Sequence, residues 1–538
     1  MNAPTLSTRT VGDLVDARGD ARGHHPFVIC DDQILSYADA ARRSAELACG
    51  LIAAGCALGT RIGLLFPNGP EFAVAALAAA RIGAVGAPLS TFSTPAELQT
   101  LLRGADIDVV LSAPAYRRHD YLAALALAVP ELDLKSAPPL YTPTVPSLRR
   151  VAFAPPHGDI APEWTLDFLL EAGSEVGPDL LRARQNRVAP SDRLVIVHTS
   201  GSTADPKGVI HTHGSLLDHL GVLNDLRRYG EDEVLFSNSP FFWIGGYAYS
   251  LLGTLAAGAT LVCSNSTEAK EVLDVIERTR PTMVNGFAQS VAHLAEDPSF
   301  SERDLTSIRR GNLYPIMGET LRPVDPELRH NMLGMTEAGS VCLASEDEGE
   351  QPESRRGSFG RPTADLEAKV VDPASGLAVG SGETGELCLR GSAVMEGYYG
   401  KERWETFDPD GWFHTGDLFR VDGDGYYYFG GRAGDMIKTS GANVSPREVE
   451  AALLDETGLV AHVFGLDDPD SGQLVAAVVR VPAGTAAPDP GEVATRLRSR
   501  LSAYKVPKRL VLLDEQDVPM MSSGKLDLRA LKELVHDR

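Results

Sequence analysis

The sequence predicts an α/β protein that carries a β-rich subdomain and closes with a small α+β domain. Three observations lead there. Short apolar runs alternate with helical patterns from Leu35 to about Leu111 and again from Leu194 to about Ala344, as in layered sheets covered by helices. Gly-rich turns then separate short strands from Gly357 to Gly430, as in Gly385-Glu386-Leu387-Cys388-Leu389-Arg390-Gly391. The remaining C-terminal segment mixes helices and strands without either pattern dominating.

In chain order, Ile62 to Phe66 reads as a strand, Pro70 to Ala80 as an Ala-rich helix, Thr94 to Leu102 as a second helix and Val109 to Leu111 as a strand. From Ala137 to Pro162 two Pro-Pro pairs stop either element from running far, so a surface excursion is expected. Leu194 to Val197 resumes as a strand, with a helix from about Ser215. Near the end, helices are expected around Glu448 to Leu454 and Glu492 to Leu501, and strands around Leu474 to Val479 and Leu510 to Leu513. Ser445-Pro446-Arg447-Glu448 reads as a capping box with Pro at the first helical position, and Val481 to Gly491 as a loop.

Composition narrows the function. A chain of 538 residues exceeds one module of roughly 100–200 residues. Its 50 basic against 73 acidic side chains give a net charge of -23, which repels nucleic acid and anionic membrane surfaces. Any polyanionic ligand therefore needs a local basic pocket. Six cysteines without a Cys-x-x-Cys pair are expected to be buried, reduced thiols. The N-terminus lacks a signal pattern, and the longest apolar run, Phe72 to Ala80, is too short to span a bilayer, so the cytoplasm is the expected compartment.

The strongest local signal follows the strand Leu194 to Val197: His198-Thr199-Ser200-Gly201-Ser202-Thr203-Ala204-Asp205-Pro206-Lys207-Gly208, then a helix. A turn rich in hydroxyls and backbone N–H groups, with one Lys, suits phosphate oxygens. It is neither a Walker A loop nor a Rossmann fingerprint, and on its own it could equally be a polar turn without function. The cluster His211, His213 and His219 has no acidic or Cys ligand at metal spacing and is read as structural.

Further motifs follow in order: Leu333-Gly334-Met335-Thr336-Glu337, Gly411-Trp412-Phe413-His414-Thr415-Gly416-Asp417, Gly431-Arg432-Ala433-Gly434-Asp435-Met436-Ile437-Lys438 and Ser523-Gly524-Lys525. With Leu35-Ser36-Tyr37 and Phe66-Pro67-Asn68 upstream, this set resembles the adenylate-forming superfamily, and within it the acyl-CoA synthetases.

The resemblance implies an N-terminal domain over residues 1–431, with two mixed sheets and the β-rich part at 357–430, and a small mobile C-terminal domain over 432–538. It implies attack of a small-molecule acid on the α-phosphate of ATP with Mg²⁺, release of pyrophosphate, and acyl transfer to coenzyme A. Thr199, Ser200, Gly201, Ser202, Thr203 and Lys207 would hold phosphates, with Glu337 and Thr203 at the metal. Gly318, Glu319, Thr320, Leu333, Gly334, Met335 and Thr336 would border the nucleotide, Asp417 the ribose, and Arg432 the ribose and phosphate. Lys525, Lys438 and Thr336 form the catalytic set, and Phe241, Trp243, Gly245, Asn285, Gly286 and Phe287 the acid pocket.

Several positions depart from the family pattern. Ala204 stands where Gly is usual, Leu333 replaces an aromatic, Trp243 stands where many relatives carry His, and the stretch from Gly318 to Gly334 is short. These departures keep alternatives open: another acceptor such as an amine or carrier-protein thiol, activation of nitrite for diazotisation of an aryl amine, or a nucleotide-binding pseudoenzyme. A homodimer is also left open.

Overall fold

The computed structural model describes residues 10–199, 206–432, 437–439, 442–444, 446–468, 472–498, 500–501, 505–521 and 526–536. The chain divides into two compact units, one comprising the residues up to Glu367 with Leu389–Phe413, the other Ala368–Cys388 with the chain from His414 onward.

The first unit is built on two mixed sheets. The seven-stranded sheet has at its centre the parallel strands Arg61–Leu65, Val85–Pro88 and Val109–Ser112, with Arg150–Phe153 at one edge. Towards its other edge Arg193–Thr199 joins parallel to Val85–Pro88, and Lys207–Thr212 and then Gly397–Tyr398 follow, each antiparallel to the strand before it. The six-stranded sheet contains parallel Val234–Ser237, Thr260–Cys263, Met283–Asn285 and Arg310–Gly311, and ends in the hairpin Pro26–Cys30/Gln33–Ser36.

The Ala-rich helix is present at Pro70–Arg81, and every residue of it except Glu71 is buried. Methyl side chains let it sit close to its neighbours on all sides, an arrangement that larger residues would pry apart. Pro at the first helical turn and Thr94 capping the next helix, Pro95–Gly104, match the start signals in the sequence.

The Pro-rich interval needs correction. Its Arg150–Phe153 is a regular edge strand paired parallel to Val109–Ser112, with Val151, Ala152 and Phe153 fully buried. Prolines bound the strand without entering it, which is where a strand tolerates them. The cysteines are all free, and Cys49 is half-buried while the other five are buried.

The second unit contains most of the β-rich sheet, including Tyr427–Arg432 and, from His414 on, the strand Phe413–Val421 that pairs with it. It also holds a sheet of Ile437–Thr439, Ala442–Val444, Ala461–Asp468, Gly472–Val481 and Arg509–Asp514, covered by helices Pro446–Thr457, Pro490–Leu497 and Leu528–His536. Among the described residues no helix is long and apolar enough to cross a membrane.

Two histidines of the first unit tie its stability to pH. His211 and His213 have no exposed surface, and burial pulls both imidazoles down to about 4 from the ordinary 6.5. In the unfolded chain they would take up protons below pH 6.5, which the native state resists until about pH 4. Stability is therefore fully present above 6.5 and lost as pH falls, by up to about 1.4 kcal/mol per pH unit for each imidazole. Thermal melts across that window should show the decline, and His213→Asn should flatten it; an unaltered slope would contradict the assignment.

Candidate active site

Strands Arg193–Thr199 and Lys207–Thr212 pair antiparallel, with Lys207 directly opposite Thr199. The expected phosphate loop between them, including Ser200, Gly201, Ser202 and Thr203, lies outside the described residues, as does Lys525. The two ends of the loop are nevertheless fixed by the register of their strands.

Around that point the fold gathers residues distant in sequence. Lys207 Nζ stands 5.1 Å from the ring centroid of Tyr398, a cation–π distance. The Tyr398 hydroxyl donates to Glu337 Oε1 at 2.9 Å. Burial, followed by the Glu337 carboxylate, raises the phenol far above its ordinary range, so the hydroxyl keeps its proton. Among the described residues no basic side chain pairs with Glu337, so its carboxylate retains oxygens for a hard cation. Glu337 sits on the turn Thr336–Ala338, just after Leu333–Met335. That turn is tied down twice: Met395 N donates to the Glu337 carbonyl at 2.8 Å, and His211 Nε2 lies 2.7 Å from the Thr336 carbonyl. Because a carbonyl only accepts, the neutral ring of His211 must carry its proton on Nε2. Tyr398 was not anticipated from the sequence. The only signal was an aromatic pair, Tyr398-Tyr399, between Gly397 and Gly400 in a short strand.

The expected acid-pocket residues divide into two groups. Asn68, from the Phe66-Pro67-Asn68 motif, accepts from Phe241 N at 2.8 Å and donates to the Ser239 carbonyl at 2.9 Å, fixing the turn before Trp243. Phe241 has no exposed surface and packs edge-on against Phe72 at 5.4 Å. Trp243 meets Phe242 and Phe287, each with ring centroids 5.4 Å away, and Phe287 is half exposed. Gly245 opens a π-helix, Gly245–Leu252. The adjacent Gly246 is obligatory, because a Cβ there would fall 2.0 Å from the Pro240 carbonyl oxygen.

Asn285 closes the strand Met283–Asn285 and is buried. Gly286 follows with φ +144°, and a Cβ on it would lie 1.7 Å from Asn238 Oδ1. Two asparagines clamp this bend. Asn312 accepts from Gly286 N at 3.0 Å and donates to its carbonyl at 2.9 Å, while Asn238 does the same for Phe287 at 2.9 and 3.0 Å. Neither was predicted, since an amide that holds backbone has no motif of its own. The nearby Gly318, Glu319 and Thr320 are exposed, and the short stretch after them forms only 3₁₀ turns, Glu319–Leu321 and Pro326–Leu328. Gly334 faces Val341 beside a bulge in the pairing of Leu333–Met335 with Ser340–Ala344.

In the second unit, Asp417 is buried and lies directly across the ladder from Arg432. The turn before it is braced by a small cluster. His414 Nδ1 lies 2.8 Å from Glu386 Oε2 and 3.4 Å from Cys388 Sγ, and Gly416 N donates to Glu386 Oε1 at 2.9 Å. Thr415 Oγ1 donates to the Leu387 carbonyl and accepts from Asp417 N. Arg432 and Lys438 are placed by their backbone alone.

The first unit thus carries a Thr-Glu turn near Lys207, and the second unit a buried Asp after a Gly turn. Residues 15–399 match the AMP-binding enzyme family and residues 448–525 the AMP-binding enzyme C-terminal domain, and the chain belongs to this family. It is an AMP-forming acid–thiol ligase of the acyl-CoA synthetase kind. A feruloyl-CoA synthase from Amycolatopsis sp is 33% identical over 502 residues, covering 91% of this chain and 92% of the relative. The indoleacetate–CoA ligase of Aromatoleum aromaticum is 30% identical, covering 93% of each. The crystal structure of ATP-bound MatB from Rhodopseudomonas palustris shares the fold at TM-score 0.79 and 24% identity, covering 98% of this chain and 99% of that one.

Proposed function

We propose that the protein is a cytoplasmic ligase that joins a carboxylic acid to AMP and then passes the acyl group to coenzyme A. The cluster of Lys207, Tyr398, Glu337 and Thr336 is the observation that carries this reading, because Lys207, which opens the strand after the expected phosphate loop, and the Glu337 carboxylate meet at Tyr398. A carboxylate oxygen is a poor leaving group until it is bonded to AMP, and the displacement at phosphorus depends mainly on positioning and charge neutralisation.

In this reading Thr199, Ser200, Gly201, Ser202, Thr203 and Lys207 cradle the β- and γ-phosphates. Glu337 and Thr203 would hold Mg²⁺, which supplies charge neutralisation on the phosphate oxygens. Asp417 accepts both ribose hydroxyls and Arg432 reaches the ribose and phosphate side. Gly318, Glu319 and Thr320, with Leu333 to Thr336, border the adenine, and Lys525 and Lys438 act from a C-terminal domain, residues 432–538, that moves between half-reactions.

Pyrophosphate exchange measured across a panel of acids, followed by AMP release with CoA, an amine or nitrite added, tests the proposal. Acid-dependent exchange and CoA-dependent AMP release are expected. Turnover that depends on nitrite and ignores CoA would overturn it.

A further inference from the structure

Two arginines are buried among the described residues, and the fold provides for them differently. Arg81, 2% exposed, is met by the Asp16 carboxylate at 2.6 Å, with Gln185 and Ser44 accepting further hydrogens. Arg227, 6% exposed, has no carboxylate at ion-pair distance. Its guanidinium lies between the rings of Tyr229 and Tyr249, 4.4 and 4.0 Å from their centroids. Nε and Nη2 donate to Asn224 Oδ1 at 3.2 and 2.7 Å, and Nη2 also to the Tyr249 carbonyl at 2.9 Å. Nη1 has no acceptor. The rings and the C-terminal end of the helix His213–Leu226 soften the charge. They leave a desolvated cation with two unsatisfied hydrogens, which is costly unless an anion arrives.

Arg227 lines a cavity of about 310 Å³. Asn285, 8% exposed, lines it too, and its Oδ1 meets no donor. Arg329 is a third such group: its Nε is buried without an acceptor, and Nη2 reaches only the Leu321 carbonyl at 3.4 Å. The cavity's other arginines, Arg309 and Arg310, share the Glu233 carboxylate at 3.1 and 2.8 Å. Asp347 and Glu348 also border it, with Asp347 accepting from Gln351 at 2.8 Å. The wall shared with Asn285 and Thr320 links this cavity to the proposed acid and nucleotide sites.

We infer that this cavity receives the far end of the acid substrate and that this end is anionic: the preferred substrates carry a second carboxylate facing Arg227 and Arg329. The inference rests on the acid-activating reading and names the substrate class for it. A hydrocarbon tail would seal Arg227 against apolar atoms, whereas a carboxylate supplies charge-assisted acceptors to Nη1 of Arg227 and Nε of Arg329. The amide of Asn285, turned about its last torsion, offers a third donor. A site built this way discriminates strongly against analogues lacking the partner group.

Matched straight-chain monoacids and α,ω-diacids, and aryl acids with and without a second carboxylate, should be compared by acid-dependent pyrophosphate release. A diacid preference of at least about tenfold in kcat/KM is expected. In Arg329→Gln, a half-buried position more tolerant of change than Arg227, the diacid-to-monoacid ratio should fall about tenfold. Thermal melts without ATP should show stabilisation of the wild type by the best diacid, diminished in Arg329→Gln. Monoacids turned over equally well or better would overturn the inference while leaving acid activation standing. Stabilisation by inorganic phosphate without any diacid preference would overturn it in favour of a free-anion site. Failure of every acid to release pyrophosphate would remove the functional reading, and this inference with it.

Discussion

Lys525→Ala is expected to slow acid-dependent pyrophosphate release about a thousandfold while sparing thioester formation from supplied acyl-adenylate and CoA. The reason lies in when charge appears. Negative charge builds on the oxygens of the attacked phosphorus only in transit, and a compact ammonium placed there stabilises the transition state more than the ground state. In the second half-reaction the phosphorus is a spectator and the acyl carbon is attacked, so the same lysine has no role. Measuring the two half-reactions separately distinguishes this from general damage. Equal loss of both would contradict the assignment of Lys525 to a swinging C-terminal domain.

Glu337→Gln is expected to lower the adenylation rate about a hundredfold and to raise the Mg²⁺ concentration needed for half-maximal rate. Gln keeps the shape and can still accept from Tyr398, so the loss isolates the carboxylate charge. Tyr398→Phe removes only the 2.9 Å hydrogen bond to Glu337 Oε1, and a decrease of about tenfold or less is expected. Titrating Mg²⁺ against the exchange rate in both variants checks this. An unchanged Mg²⁺ dependence in Glu337→Gln would remove Glu337 from the metal site.

What was legible in the sequence depended on how local the signal was. Pro70–Arg81 and the strand before Thr199 declare themselves by Ala content, caps and apolar runs, all of which are near-neighbour properties. Arg150–Phe153 does not, because four residues between prolines become a strand only by pairing with Val109–Ser112. Ala461–Asp468 is absent from the strands expected near the end for the same reason: it is held by an antiparallel ladder that runs to Asp468↔Gly472.

The site divides along the same line. Glu337 and Asp417 lie in motifs readable from neighbouring residues. Tyr398, Asn238 and Asn312 act through partners far along the chain, as Arg227 would in the proposed diacid pocket, so no local pattern marks them.

One isotope experiment tests the chemistry at its centre. When an acid labelled with ¹⁸O in its carboxylate is turned over to thioester, one labelled oxygen should appear in the phosphate of AMP and none in pyrophosphate, because the oxygen that attacks the α-phosphorus leaves with AMP. Unlabelled AMP, or label in pyrophosphate, would contradict the account.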